Sequence, residues 1–367
     1  MTYRIPLSYN PIDVSALTNV LNEYAGKHHN QMVTDFESAI STLTKIPHVV
    51  AVNSGTAAIH LALLAMGIGK GDVVIAPTFT YVATINPIMY VGATPVLVDC
   101  EPETWNMDPN LLKKAINSLK KRGVMPKAIM IVHTYGMPAK MGEILEIAHN
   151  EGIPIIEDAA ESLGALYKGK MTGTMGEIGI YSFNNNKAVT TYGGGALLTN
   201  NSQWAEKARF LASQARESQP YYEHKTVGFN YLMSPLNAAM GLCEIPFLTE
   251  KNESRRRIFS LYLKLLDSLG EFQKEDYERV SNRWLSTILF PKSSIKLLII
   301  NLLNKNSIET RPLWKPMHLQ PLYCNMESYL SGMAENHFAT GLCLPSCFEN
   351  EKQQLEIVGL IKGLHVK

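Results

Sequence analysis

No apolar run in these 367 residues approaches the roughly 20 needed to span a bilayer, and the opening MTYRIPLSYNPID has no basic leader followed by an apolar stretch. Both absences argue against a membrane or secretory destination, so the cytoplasm is the expected location. Charge of one sign is also lacking: 34 Lys plus Arg stand against 33 Asp plus Glu, for a net +1. Such a chain sets up no long-range field toward nucleic acid or anionic lipid. Cysteine is sparse and unpatterned. The five residues Cys100, Cys243, Cys324, Cys343 and Cys347 are an odd number at unrelated spacings. The nearest pair, Cys343 and Cys347, has no Cys or His companions at metal-site spacing, so reduced thiols and no metal are expected. Internal repeats and low-complexity tracts are absent too, which removes repeat arrays and disordered tails. What remains is 46% hydrophobic content, ample for a core in one large or two smaller domains. Small molecules and copies of itself are the expected partners.

Short β-branched runs alternate with helical patterns: DVVIAP at 72–77, TPVLVD at 94–99, KAIMIVH at 127–133 and IPIIED at 153–158. Helices are predicted over Thr56 to Met66, Asn110 to Leu119 and Met141 to Glu151, the last closing at Gly152. This alternation predicts an α/β layered fold with parallel strands and helical crossovers. Ligands of such sheets collect at the carboxyl ends of the strands, where His133 and Asp158 fall. Past residue 245 the pattern changes to a charged helix, Glu250 to Leu269, and a smaller mixed region. The division expected is a large domain over 1–245 and a small C-terminal one over 246–367.

Several residues carry candidate chemistry. Asn53-Ser54-Gly55-Thr56 lies between the apolar run HVVAV and an Ala-rich helix. Free N–H groups at that helix start suit a phosphate, and an ordinary N-cap would leave the same sequence. Asp158 ends its strand where a carboxylate would keep a pyridine nitrogen protonated, or would cap the segment that follows. Glu161 either shares that face or completes a capping box. Ser182 and Lys187 bracket the polar loop Asn184-Asn185-Asn186, which core packing does not explain. A lysine there can hold an aldehyde cofactor as a Schiff base, although a surface lysine is the usual fate of that residue. Gly193-Gly194-Gly195 reads as a tight passage back into a strand, through either a close approach near a ligand or a simple turn. Tyr81, in Phe79-Thr80-Tyr81, would stack on a planar ring or join the core.

In their order and spacing, NSGTAAIHLAL (53–63), APTFTYVATINPIMYVGATPVLVD (76–99), VHTYGMPAKM (132–141), IEDAAESLGALYKGK (156–170), SFNNNK (182–187) and GFNYLMSPLNAAMGL (228–242) make the chain resemble the DegT/DnrJ/EryC1/StrS sugar aminotransferases. Within that family EPETWNMDP (101–109), RFLASQARES (209–218) and ETRPLWKPMHLQP (309–321) are similar to the branch acting on UDP-linked 4-keto-6-deoxy-N-acetyl sugars, the UDP-N-acetylbacillosamine type. The resemblance implies a fold type I, aspartate aminotransferase-like architecture: a large domain with a mostly parallel mixed sheet plus a small C-terminal α/β domain. It implies a homodimer with shared active sites and pyridoxal 5'-phosphate as cofactor. Lys187 would carry the cofactor and shuttle the proton, Asp158 would pair with the ring nitrogen, and Glu161 would stand near the phenolic oxygen. Gly55, Thr56 and Ser182 would hold the phosphate with Asn230 of the partner subunit, and Tyr81 would stack on the ring. An amino group would pass from L-glutamate to C4 of the keto sugar. Arg311, Trp314 and His318 are candidate substrate contacts, unless their Pro-rich segment serves only to pin the small domain.

Three departures from the family pattern stand out. Leu232 replaces an arginine in Asn230-Tyr231-Leu232, GKHHNQM occupies 26–32, and Tyr192-Gly193-Gly194-Gly195 stands where relatives have Gly-Glu-Gly-Gly. Other readings are amination at C3 or of a GDP-linked sugar, a sugar dehydratase, and a non-catalytic cofactor-binding module. The dehydratases place histidine where Lys187 stands, and regulatory modules carry an added DNA-binding segment.

Overall fold

The computed structural model describes residues 3–28, 30–348 and 350–365; His29, within the 26–32 departure, lies outside the described residues. Five apolar runs form successive strands: β1 (His48–Val52), β2 (Val73–Pro77), β3 (Thr94–Val98), β4 (Ala128–Val132) and β5 (Ile155–Asp158). The short hairpin β6 (Leu166–Tyr167) and β7 (Lys170–Met171) precedes β8 (Ile178–Ser182) and β9 (Gly195–Thr199). The C-terminal part adds β10 (Arg279–Val280), β11 (Ser286–Leu289), β12 (Arg311–Pro312), β13 (Ser328–Tyr329) and β14 (Gly341–Leu344). The main sheet runs β1-β9-β8-β5-β4-β2-β3-β13. Only β9 is antiparallel to its neighbours, so the sheet is mixed but mostly parallel, as expected.

Buried strands and crossover helices explain the sequence pattern. Nearly every residue of β2, β4 and β5 is buried, because both faces of the sheet are covered. One face packs on Gly55–Ala65 and Val82–Tyr90, the other on Pro109–Lys121 and Met141–Glu151. The helix Met141–Glu151 matches its predicted limits, and Gly152 caps it at φ 65°, a conformation glycine adopts at least cost. Val82–Tyr90 was not predicted, because Pro87 lies inside it.

A second core unites the helices Leu248–Leu266, Ser293–Lys305 and Glu351–His365 with the sheet β11-β14-β12. We propose 245/246 as the domain boundary, with two crossings. Ile5 packs into the C-terminal core and bridges to Ile308, while β13 returns to pair with β3 at the edge of the main sheet. No disulfide forms among the described residues. No described helix is long and apolar enough to cross a membrane.

Candidate active site

At the carboxyl edge of the main sheet the chain leaves a cavity of about 450 Å³. Its lining includes Gly55, Thr56, Tyr81, Asp158, Glu161, Ser182 and Lys187. Residues scattered over 133 positions of sequence thus face one space.

The floor begins at the helix Gly55–Ala65. Ser54 caps it, its Oγ accepting from Ala57 N at 3.1 Å, so the N-cap reading holds. The N–H groups of Gly55 and Thr56 have no intrahelical carbonyl and face the cavity end with the helix dipole behind them. A Cβ on Gly55 would come 3.1 Å from Ser182 Cβ, so only glycine leaves the space between the helix start and the end of β8 open. Gly195 explains the glycine run: a Cβ there would stand 2.5 Å from Ser54 C and O. β9 therefore approaches the backbone of the anion cradle directly.

Asp158 is buried at the end of β5. Its Oδ2 accepts from Thr84 Oγ1 at 2.8 Å and its Oδ1 from Ala160 N at 3.2 Å, so the capping reading accounts for one oxygen only. Burial pushes its carboxyl pKa up, against these donors and the charge of Lys187. No ion pair to Asp158 forms among the described residues. A buried carboxylate held by neutral donors favours a cation placed beside it.

Glu161 makes no capping box, since no helix follows it. Its Oε2 accepts from Tyr135 N at 2.9 Å and its Oε1 lies 3.5 Å from Lys187 Nζ. Burial raises this carboxyl to about 7, with Lys187 and the Tyr135 amide opposing. Lys187 itself is not a surface lysine: its side chain is 12% exposed, and Nζ stands 4.1 Å from the centre of the Trp284 ring.

The other candidates divide. Phe79 joins the core, whereas Tyr81 is 58% exposed and lines the cavity with Trp314. Trp314 stacks on Tyr135 with centroids 4.4 Å apart. Arg311 is exposed and bonded to Glu309, outside the cavity lining. His318 is held by Thr78 and Glu335 and is also outside it. His133 is buried away from the cavity: its Nδ1 accepts from Ala139 N, so its Nε2 donates to Glu157 at 2.9 Å. Asn230 is exposed, and its carbonyl accepts from Asn53 Nδ2 at 3.1 Å. Its side chain is not part of the lining within one chain, and Leu232 nearby is 39% exposed.

Sequence reasoning missed Thr84, Tyr135 and Trp284. Thr84 lies on the helix that Pro87 concealed. Tyr135 stands two residues beyond His133, at φ 55°, a left-handed conformation no local signal announced. Trp284 comes from the far half of the chain.

This donor set fits pyridoxal phosphate. The cradle at Gly55 and Ser182 matches an anion, the uncompensated Asp158 matches a protonated ring nitrogen, and the sheltered Lys187 supplies an amine for the aldehyde.

Comparisons with known proteins agree. The profile of the DegT/DnrJ/EryC1/StrS aminotransferase family matches residues 11–361. EpsN of Bacillus subtilis (strain 168), named as a pyridoxal phosphate-dependent aminotransferase, is 46% identical over 321 residues, which are 86% of this chain and 83% of that protein. The GDP-perosamine synthase of Caulobacter vibrioides is 38% identical over 321 residues, 86% of this chain and 85% of its own. The crystal structure of a DegT DnrJ EryC1 StrS aminotransferase from Brucella abortus superposes with a TM-score of 0.89 at 30% identity, covering 96% of this chain and 95% of the other. The chain belongs to the DegT/DnrJ/EryC1/StrS aminotransferase family and is a pyridoxal phosphate-dependent sugar aminotransferase.

Proposed function

We propose that the protein transfers the amino group of an amino acid, L-glutamate, to C4 of a UDP-linked 4-keto-6-deoxy-N-acetylhexosamine, serving amino-sugar synthesis for bacterial surface or other glycoconjugates. The observation that carries the catalytic part is the convergence of Lys187, Asp158, Glu161 and the Gly55–Ser182 cradle on one cavity. Bound pyridoxal phosphate supplies an aldehyde that takes up nitrogen and a ring that stores the electron pair released when a C–H bond breaks.

Each residue then has a task. The N–H groups of Gly55 and Thr56, with Ser182 Oγ, hold the phosphate, joined by Asn230 of the partner subunit. Asp158, oriented by Thr84 and Ala160 N, keeps the ring nitrogen protonated. Tyr81 covers a ring face, and Trp284 and Trp314 shield the walls from water. Lys187 Nζ takes the proton from the donor's α-carbon and delivers it to the carbon that has received the nitrogen. Glu161, 3.5 Å away, holds the ammonium form of that amine. Trp314 is a contact for the sugar or donor, whereas Arg311 and His318, outside the lining, take no part in that contact. The site is completed in a homodimer located in the cytoplasm.

A GDP-linked keto sugar is the second acceptor, favoured by the 38% identity to a GDP-perosamine synthase. Two measurements test the proposal. Cofactor-loaded wild type should show visible absorbance that Lys187→Ala lacks; persistence of the band in the variant would overturn the lysine's role. Incubation with glutamate and a panel of UDP- and GDP-linked keto sugars, read by mass spectrometry, should show one nitrogen gained by the UDP sugar. Amination of the GDP sugar alone selects the second reading.

A further inference from the structure

Behind the cavity, three successive carbonyls of the Lys187 loop are held by side chains from both ends of the chain. Asn10 Nδ2 donates to Asn185 O and to Lys187 O, each at 3.0 Å. Between them, Asn186 O accepts from Trp284 Nε1 at 2.7 Å and from Ser8 Oγ at 3.4 Å. The loop belongs to no helix or strand; its own backbone bond, Lys187 N to Asn184 O at 3.0 Å, leaves these three carbonyls to the side chains.

Asn10 is itself held. It is 9% exposed, and its carbonyl accepts from the Tyr192 hydroxyl at 2.9 Å. Tyr192 adopts φ 57°, a left-handed backbone that glycine would occupy at lower cost. The strap carrying Asn10 is tied down beyond the loop as well. Leu7 N donates to Glu309 Oε2 at 3.0 Å, Ser346 N donates to Leu7 O at 2.9 Å, and Cys347 Sγ donates to Tyr9 O at 3.2 Å. The position of Asn10 is thereby fixed by contacts independent of the loop it braces.

We infer that Asn10, clamped by Tyr192, is a positioning residue that fixes the backbone of Lys187 and so aims its amine at the carbon whose proton it moves. The inference rests on Lys187 being the proton-carrying lysine. Proton transfer demands placement within a fraction of an ångström, and a polar loop without these bonds would let Nζ wander. Neither Asn10 nor Tyr192 is asked to touch substrate.

The test uses full-length, cofactor-reconstituted wild type, Asn10→Ala, Asn10→Gln, Tyr192→Phe and Lys187→Ala. Single-turnover reaction with L-glutamate, followed by visible absorbance over a pH series, gives the maximal rate, the half-saturating donor concentration and the pH midpoint of the band. Asn10→Ala should lose roughly ten- to a hundredfold in maximal rate, the scale of a misaimed group. Its half-saturating donor concentration and thermal midpoint should stay near wild type, while the pH midpoint of the band moves. Asn10→Gln, which keeps both N–H donors, should recover part of the rate, and Tyr192→Phe should shift it in the same direction by less. A wild-type rate and pH midpoint in Asn10→Ala would overturn the inference, as would a rate loss that follows thermal stability with no rescue by glutamine. If Asn10→Ala does not fold, Tyr192→Phe decides: a slowed rate with a moved midpoint supports the inference, and wild-type behaviour overturns it. An absorbance band retained in Lys187→Ala removes the lysine assignment itself, and the role of Asn10 falls with it.

Discussion

Glu161 shows how burial turns an ordinary side chain into a pH-sensitive one. Its carboxyl, lifted by desolvation to about 7 from 4.5, keeps a proton in the folded protein that the unfolded chain has already released. Stability therefore falls as pH rises between those two values and is level below them, because the native state binds more protons than the unfolded state within that window. Asp158 is shifted in the same direction by the same cause. In cofactor-free protein, Glu161→Gln should flatten this dependence and raise stability above neutral pH by at most about 3 kcal/mol. Urea denaturation of both proteins at mildly acidic and mildly alkaline pH checks it; an unchanged slope would show that Glu161 ionises without penalty. The sequence offered this carboxylate as a cap or a cofactor contact, and only its burial against Tyr135 and Lys187 separates the two.

Elements explain why the glycines near the lysine are not interchangeable. β9 passes so close to the start of the helix Gly55–Ala65 that a single methyl on Gly195 meets the Ser54 backbone, which has no rotamer to yield. Gly195→Ala should cost about 2–3 kcal/mol, the scale of an overpacked site, and weaken pyridoxal phosphate binding together with stability. Denaturation and spectrophotometric titration of the cofactor measure the two losses; retention of both would mean the strand can shift without disturbing the cradle. Most such elements were legible in sequence. The run IPIIED and the pattern of Met141 to Glu151 declare a strand and a helix, because burial on one or both faces writes a period into the residues. Val82–Tyr90 escaped, since Pro87 opposes a helix locally and packing against the main sheet overrides it.

The whole molecule is predicted to act as a dimer. Asn230 is exposed and its side chain is absent from the cavity of its own chain, as a residue donated across an interface would be. Mixing inactive Lys187→Ala with inactive Asn230→Ala should restore activity, because a hybrid dimer contains one site with both residues intact. Sedimentation must show exchange of subunits; exchange without recovered activity would argue against shared sites. The sequence alone determined the layered α/β fold, the loop bearing Lys187, the helix start at Gly55 and Asp158 at its strand end, because each is written in a local period or spacing. The tertiary structure decided which candidates share a space. It brought Trp284 and Thr84 to the lysine and the aspartate, left Arg311 and His318 outside the lining, and tied Asn10 to the loop 177 positions away. Contacts across such separations follow from how the sheet, the helices and the C-terminal core close on one another, and no local pattern of residues encodes that closure.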